Sequence, residues 1–184
     1  MVAASNPPAE DCYQIKRTIS HNKLEYNHHK HIDLLWQENP DFILNETQSH
    51  FDEIKIICEF CSLNNIDFVV SLYLSGNWKI LSGENYSEVI NFIHEYNPLA
   101  ISINCVRPDT FNKIDLKYIN GFYLNCGFGS FTDKTISCGI TPEEYKLLIR
   151  KYLLENIYFI GSCCGSSPLH TKSIKELLNE LYRN

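Results

Sequence analysis

The chain has 184 residues, 44% of them hydrophobic, and a formal net charge of -6. This length and apolar content predict one globular domain with a hydrophobic core and exclude a disordered or collagen-like chain. The negative charge argues against a nucleic-acid-binding protein, which normally carries a basic face. The best apolar run, residues 68–74, has the length of a strand and falls well short of a membrane span.

The eight cysteines come without a recognisable secretory signal at the start of the chain. This combination favours a reducing compartment, where clustered thiols serve as metal ligands or nucleophiles more often than as disulfides. We therefore expect a cytoplasmic protein.

Residues 1–20 are interpreted as a poorly ordered leader, and the globular domain is expected over residues 21–184. From about residue 24 onward, apolar side chains recur at the spacing of helix faces, and Thr141-Pro-Glu-Glu144 forms a capping box. Short, nearly continuous apolar runs stand between the helices, as is typical of parallel strands covered by helices. The order predicts an α/β fold with five strands, at residues 41–45, 67–73, 99–103, 121–124 and 157–160.

The segment Gly161-Ser-Cys163-Cys164-Gly165 follows a predicted strand directly and precedes a helix that begins at Ser167-Pro168. In parallel α/β sheets, the loops at the carboxyl ends of the strands build the active site. Adjacent residues of a strand point to opposite faces, so two neighbouring thiols share a ligand only where the chain turns. The flanking glycines permit such a turn. The alternative is that both thiols are small buried apolar side chains.

Cys105 also stands at the carboxyl end of a predicted strand, after Ile101-Ser-Ile-Asn104. Three thiolates from two loops would form a metal site with an open fourth position, the pattern of catalytic zinc. Cys58 and Cys61 have the C-x-x-C spacing of a zinc or redox motif, but both lie on the apolar stripe of a helix, which favours core packing. The sequence assigns no role to Cys12, Cys126 and Cys138.

These strand ends resemble those of the homocysteine S-methyltransferase family, whose members are zinc-dependent eight-stranded β/α barrels. Two departures from the family motifs are Ser102, where glycine is usual, and Leu124, where proline is usual. The resemblance runs from about residue 24 to the C-terminus. The similar segments are Glu46-Thr47, Ser102-Ile-Asn104-Cys105, Tyr123-Leu-Asn125-Cys-Gly127 and Gly161-Ser-Cys163-Cys164-Gly-Ser-Ser-Pro168-Leu-His170.

The resemblance implies a zinc ion bound by Cys105, Cys163 and Cys164. It also implies that Glu46 holds the amino group of homocysteine, while Asn104 and Asn125 support the site from neighbouring loops. A zinc-bound thiol loses its proton, so the substrate thiol becomes a nucleophile that attacks an electrophilic methyl group and gives methionine. The resemblance leaves open which methyl donor is used.

The five predicted strands correspond to strands four to eight of the family barrel, so the fold is expected to be an incomplete TIM-type barrel. The chain is then truncated or half of a split enzyme, and alone we expect it to be self-associated or poorly soluble and to transfer methyl groups weakly or not at all. The expected protein partner is a second copy or a complementing chain that carries the N-terminal half-barrel. The expected small molecules are homocysteine and a methyl donor, and neither nucleic acid nor a membrane is expected as a partner.

Two alternatives remain at this point. One is a catalytically inactive zinc-binding half-barrel that acts as an interaction module. The other is a metal site at His28, His29 and His31, which is the weaker candidate because helix histidines without thiol or carboxylate companions seldom bind metal.

Overall fold

The computed structural model describes residues 1–129, 135–153 and 156–182. Two compact units are present, Met1–Ile103 and Asn104–Asn184. The single domain expected over residues 21–184 stays a prediction. Within the described ranges, none of the helices combines the length and the apolar composition that crossing a membrane requires.

The first unit alternates strands with helices, and its neighbouring strands are parallel. β1 pairs with β2, β2 with β3, and β3 with β4. The elements are β1 (Ala3–Asn6), α1 (His21–Trp36), β2 (Phe42–Gln48), α2 (Phe51–Leu63), β3 (Phe68–Leu72), α3 (Tyr86–His94) and β4 (Ala100–Asn104).

The second unit contains a parallel strand pair, β5 with β8, and a short antiparallel pair, β6 with β7. Thr141 caps α5 as predicted, because its hydroxyl accepts a hydrogen bond from the Glu144 backbone N–H and the Glu144 carboxylate accepts one from the Thr141 backbone N–H. The elements are α4 (Pro108–Phe111), β5 (Gly121–Leu124), β6 (Gly127–Phe128), β7 (Ser137–Cys138), α5 (Pro142–Tyr152), β8 (Phe159–Ser162) and α6 (Pro168–Tyr182).

The α/β class and the parallel strands are as predicted, and each of the five predicted strands overlaps an observed one. The core of the first unit also confirms the interpretation of the C-x-x-C pair. Cys58 and Cys61 have no solvent exposure on α2, and burial raises the pKa of both thiols, that of Cys61 to about 12. These two cysteines therefore pack as apolar side chains.

The expectation of a poorly ordered leader is wrong at residues 3–6, which form β1. Asn6, at the end of this strand, is buried, and its amide Nδ2 donates to Asn45 Oδ1 at 2.7 Å and to His28 Nδ1 at 3.1 Å. Since an amide NH2 group only donates, His28 keeps its proton on Nε2 and donates it to Glu53 Oε1 at 2.6 Å. This chain of buried hydrogen bonds joins β1 to α1 and α2.

The other two histidines of α1 also contact protein groups. His31 Nδ1 lies 2.9 Å from Asn6 Oδ1, and the His29 ring stacks on Phe60 with the ring centroids 4.1 Å apart. Within the described ranges, these histidines do not form a cluster spaced for a metal ion.

Asn6→Ala tests whether the leader is part of the folded unit. The substitution leaves a buried imidazole nitrogen and a buried amide oxygen without their donor, so we expect the free energy of unfolding to fall by about 1–3 kcal/mol in urea titrations. The control Asn22→Ala, at an exposed position of α1, should change it by no more than about 0.5 kcal/mol. Equal, small effects of both variants would restore the interpretation of a poorly ordered leader.

Candidate metal centre

Three sulfur atoms lie together in the second unit. The Cys105 Sγ is 2.7 Å from the Cys163 Sγ and 3.4 Å from the Cys164 Sγ, and the latter two are 3.9 Å apart. Cys105 is buried, whereas Cys163 and Cys164 are half-buried, so the cluster can be reached from one side. Across the described part of the chain, this is the one group of three or more Cys, His, Asp or Glu side chains with ligand atoms within 4.8 Å of one another.

The backbone of β5 aligns the two cysteine loops. The Cys105 N–H donates to the Tyr123 carbonyl at 3.0 Å, and the Cys163 N–H donates to the carbonyl of the next residue, Leu124, at 2.9 Å. The Cys126 N–H then donates to the Cys164 carbonyl at 2.7 Å. Because the two carbonyls belong to consecutive residues, both cysteine loops lie at the same level along β5. The three sulfurs therefore come close together.

A tight turn brings the adjacent thiols of Cys163 and Cys164 to the same side. The Ser166 N–H donates to the Cys163 carbonyl at 3.1 Å, and Gly165 has a φ of +73°, in the region that favours glycine. A Cβ at Gly165 would lie 2.3 Å from the Gly127 Cα, so the position also requires the absence of a side chain. Adjacent residues of a strand would point to opposite faces, but because the chain turns here, the sulfurs of Cys163 and Cys164 lie on the same side.

Cys105 itself has a φ of 56°, a left-handed conformation that is uncommon for a residue other than glycine. Such conformations cost free energy and persist where the surrounding structure enforces them, often at functional sites. Here the enforcing contact is the hydrogen bond from the Cys105 N–H to β5.

Two buried side chains beneath the loops were not assigned a role from the sequence. The Tyr145 hydroxyl donates to the Gly161 carbonyl at 2.7 Å and accepts from the Leu124 N–H at 3.1 Å, and burial raises the pKa of this phenol. Tyr145 therefore ties β5 to β8 just before the cysteine loop. Its position on the apolar stripe of α5 could be read from the sequence, but its hydrogen bonds could not.

His170 holds the first turn of α6. Its Nδ1 accepts from the Ser167 N–H at 3.1 Å, so the proton is on Nε2, which donates to the Ile140 carbonyl at 2.8 Å. His170 is buried. The imidazole therefore positions the helix start that follows the cysteine turn, and both ring nitrogens are engaged by protein groups.

The electrostatics of the sulfur cluster suit a bound cation. Hydrogen bonds from the Cys105 and Cys164 thiols, and then burial, raise the pKa of the Cys163 thiol. Three thiolates this close would repel one another strongly, and a divalent cation among them removes that repulsion and deprotonates its ligands. Three thiol sulfurs, without competing carboxylates or imidazoles, match the preference of zinc and other soft cations. The cluster can hold a metal ion.

The other predicted site residues are Asn104, Asn125 and Glu46. Asn104 is buried at the end of β4. The Asn125 Oδ1 accepts from the Gly127 N–H at 2.7 Å, and Asn125 borders a cavity of about 420 Å³ together with Arg107 and Glu144. Glu46 belongs to the first unit, half-buried near the end of β2, where its Oε1 accepts from the Ser5 hydroxyl. The roles of these three residues stay predictions.

The sequence profile of the homocysteine S-methyltransferase family matches residues 1–178. The chain belongs to this family. Two relatives are homocysteine S-methyltransferase 2 of Arabidopsis thaliana, 24% identical over 178 residues, and homocysteine S-methyltransferase 1 of Brassica oleracea var. italica, 24% identical over 169 residues. These alignments cover 88% and 85% of this chain but 53% and 52% of the relatives. The chain thus spans about half the length of these relatives.

Solved structures of the homocysteine methyltransferase MmuM from Escherichia coli have a similar fold. The oxidized form matches with a TM-score of 0.71 at 18% identity, over 95% of this chain and 60% of MmuM. The metallated form matches with a TM-score of 0.68 at 15% identity, over 91% and 56% of the two chains. The fold is the predicted one, parallel β/α units of an incomplete TIM-type barrel.

Gly165→Ala tests the tight turn over residues 163–166, which contains the two half-buried cysteines. Because the new Cβ would meet the Gly127 backbone at 2.3 Å and the φ is positive, we expect about 1–3 kcal/mol lower stability. Zinc content measured by atomic emission should fall below one ion per chain. Gly76→Ala is the control, since its Cβ would have no atom within 4 Å. Full zinc loading and wild-type stability for Gly165→Ala would contradict the proposed importance of this close approach.

Proposed function

We propose that this chain is a zinc-dependent homocysteine S-methyltransferase, in which the homocysteine sulfur takes a methyl group from a small donor and methionine is formed. The observation that carries the proposal is the meeting of the Cys105, Cys163 and Cys164 sulfurs within 4.8 Å of one another. Membership of the homocysteine S-methyltransferase family supports it. Because the chain spans about half the length of its relatives, methyl transfer by this chain itself is part of the proposal.

Zinc held by Cys105, Cys163 and Cys164 would accept the homocysteine thiol as a further ligand and would favour its thiolate form at neutral pH, where a free thiol is mostly protonated. The task of the chain is to present three sulfurs in one fixed arrangement. The hydrogen bonds of Cys105 and Cys163 to β5 set the spacing of their sulfurs. The hydrogen bond of the Tyr145 hydroxyl to the Gly161 carbonyl holds the loop of Cys163 and Cys164 in register with β5.

Further assignments rest on the family resemblance and belong to the proposal. Glu46 would receive the amino group of homocysteine, and Asn104 and Asn125 would support the site. The family relationship leaves the methyl donor open, and S-methylmethionine, S-adenosylmethionine and betaine are the donors to compare. A cytoplasmic location and a part in methionine biosynthesis are the corresponding expectations.

Single substitutions of the cysteines test the metal centre. Cys105→Ser, Cys163→Ser and Cys164→Ser should each abolish stoichiometric zinc, because two thiolates bind zinc far more weakly than three. The matched control is Cys138→Ser in the same unit, an exposed thiol outside the cluster. Zinc per chain is measured by atomic emission after gel filtration. Retention of zinc in Cys163→Ser, or its loss in Cys138→Ser, would contradict the assignment.

Substrate binding and turnover test the function itself. In cobalt-substituted protein, homocysteine should change the thiolate-to-metal absorption, because a further thiolate enters the coordination sphere. Homocysteine with at least one of the three donors should yield methionine that mass spectrometry detects, and Cys163→Ser should yield none. Metal binding without an absorption change at millimolar homocysteine would reject the enzyme in favour of an inactive zinc-binding module.

A further inference from the structure

β8 is an edge strand of the second unit. Among the described residues, β5 is its one pairing partner. All four residues of β5 are buried, whereas all four residues of β8 are half-buried. The outer side of an edge strand presents a row of backbone N–H and C=O groups with which another strand can pair. β8 is therefore a surface to which a further strand can add.

The hydrogen bonds on the β5 side show which residues of β8 face outward. The N–H groups of Phe159 and Cys163 donate to carbonyls on that side, so residues 159, 161 and 163 direct their backbone groups toward β5. Since this direction alternates along a strand, the backbone groups of Ile160 and Ser162 point away from β5. These two residues offer two N–H and two C=O groups to an added strand.

The segment 156–163 lacks two features that commonly keep strand edges from pairing. Natural edge strands are often protected by charged side chains, especially lysine, or by proline. The sequence Asn156-Ile-Tyr-Phe-Ile-Gly-Ser-Cys163 contains neither. At β1, by contrast, Pro7 and Pro8 follow the strand directly. The outer edge of β8 is therefore open to pairing.

The same segment is complementary to a second copy of itself. Two strands related by a two-fold axis perpendicular to the sheet run antiparallel, and identical residues meet at such an interface. With the axis at Gly161, Ile160 of each copy lies opposite Ser162 of the other, and all the outward N–H and C=O groups find partners. Glycine then occupies the pair at which the two backbones come closest. No like charges meet, because the segment is uncharged.

We propose that β8 is an interaction surface for a second copy of this chain, with the two β8 strands paired antiparallel about Gly161. The inference goes beyond the proposed methyl transfer and does not depend on it. Because Cys163 directly follows β8, the same pairing brings Phe159 of the second copy opposite Cys163. Each copy then contributes a residue to the border of the other copy's candidate metal centre.

Hydrogen exchange of single amides tests the pairing in the unmodified, zinc-loaded chain. Under reducing conditions, which exclude disulfide-linked dimers, sedimentation velocity should show a monomer at low protein concentration and a dimer at high concentration. The Ile160 and Ser162 amides should exchange about tenfold more slowly at the high concentration, because pairing removes their N–H groups from water. The Gly161 and Cys163 amides, which face β5, are internal controls and should exchange alike at both concentrations.

A proline substitution tests the same edge from the other direction. Ile160→Pro removes one outward N–H and leaves the bonds to β5 in place, since proline is tolerated where the N–H of an edge strand faces solvent. This variant should be monomeric at the concentration at which the wild type is dimeric. Ile160→Val is the matched control, which keeps the N–H and a β-branched side chain and should dimerise as the wild type does. Circular dichroism verifies that both variants are folded.

The outcomes decide the proposal without reference to zinc or methyl transfer. A wild type that is monomeric at every concentration would overturn it, and so would a dimer in which the Ile160 and Ser162 amides exchange as fast as in the monomer. Assemblies larger than a dimer would exclude the two-fold pair. A folded Ile160→Pro variant that still dimerises would also contradict the proposal, and if this variant does not fold, the amide measurement on the wild type decides alone.

Discussion

The hydrogen bonds that β5 makes with the two cysteine loops are the interactions on which the candidate metal centre depends. Carbonyls of consecutive β5 residues accept from the backbone N–H groups of Cys105 and Cys163. A slip of either loop by one residue would turn its sulfur to the opposite face of the strand. Three sulfurs from two distant parts of the sequence meet because one strand aligns both cysteine loops.

The three thiols lie in a close arrangement that the surrounding backbone enforces. The sulfurs of Cys105 and Cys163 are 2.7 Å apart, Cys105 has a left-handed backbone, and the backbone of Gly127 leaves no room for a Cβ at Gly165. The surrounding structure compensates with buried hydrogen bonds, among which the Tyr145 hydroxyl links β5 to β8. Three sulfurs held this close together could hold a metal ion, and the proposed zinc is a cation that thiolates bind well.

Much of this could be predicted from the sequence because the relevant signals are local. Strands and helices followed from apolar periodicity, and Thr141-Pro-Glu-Glu144 predicted the start of α5. The meeting of Cys105 with Cys163 and Cys164 followed from a general property of parallel sheets, whose strand ends share one edge.

Other features depend on tertiary contacts. β1 was missed because Ala3-Ala-Ser-Asn6 has weak strand propensity and precedes two prolines, while its stability comes from the buried hydrogen bonds of Asn6.

X-ray absorption spectroscopy at the zinc edge tests the central claim most directly, since it counts the sulfur ligands around the metal. The account predicts three zinc–sulfur contacts of about 2.3 Å in the zinc-loaded chain and a fourth after homocysteine is added. A first shell made mainly of nitrogen or oxygen ligands, or a sulfur count that homocysteine leaves unchanged, would contradict it.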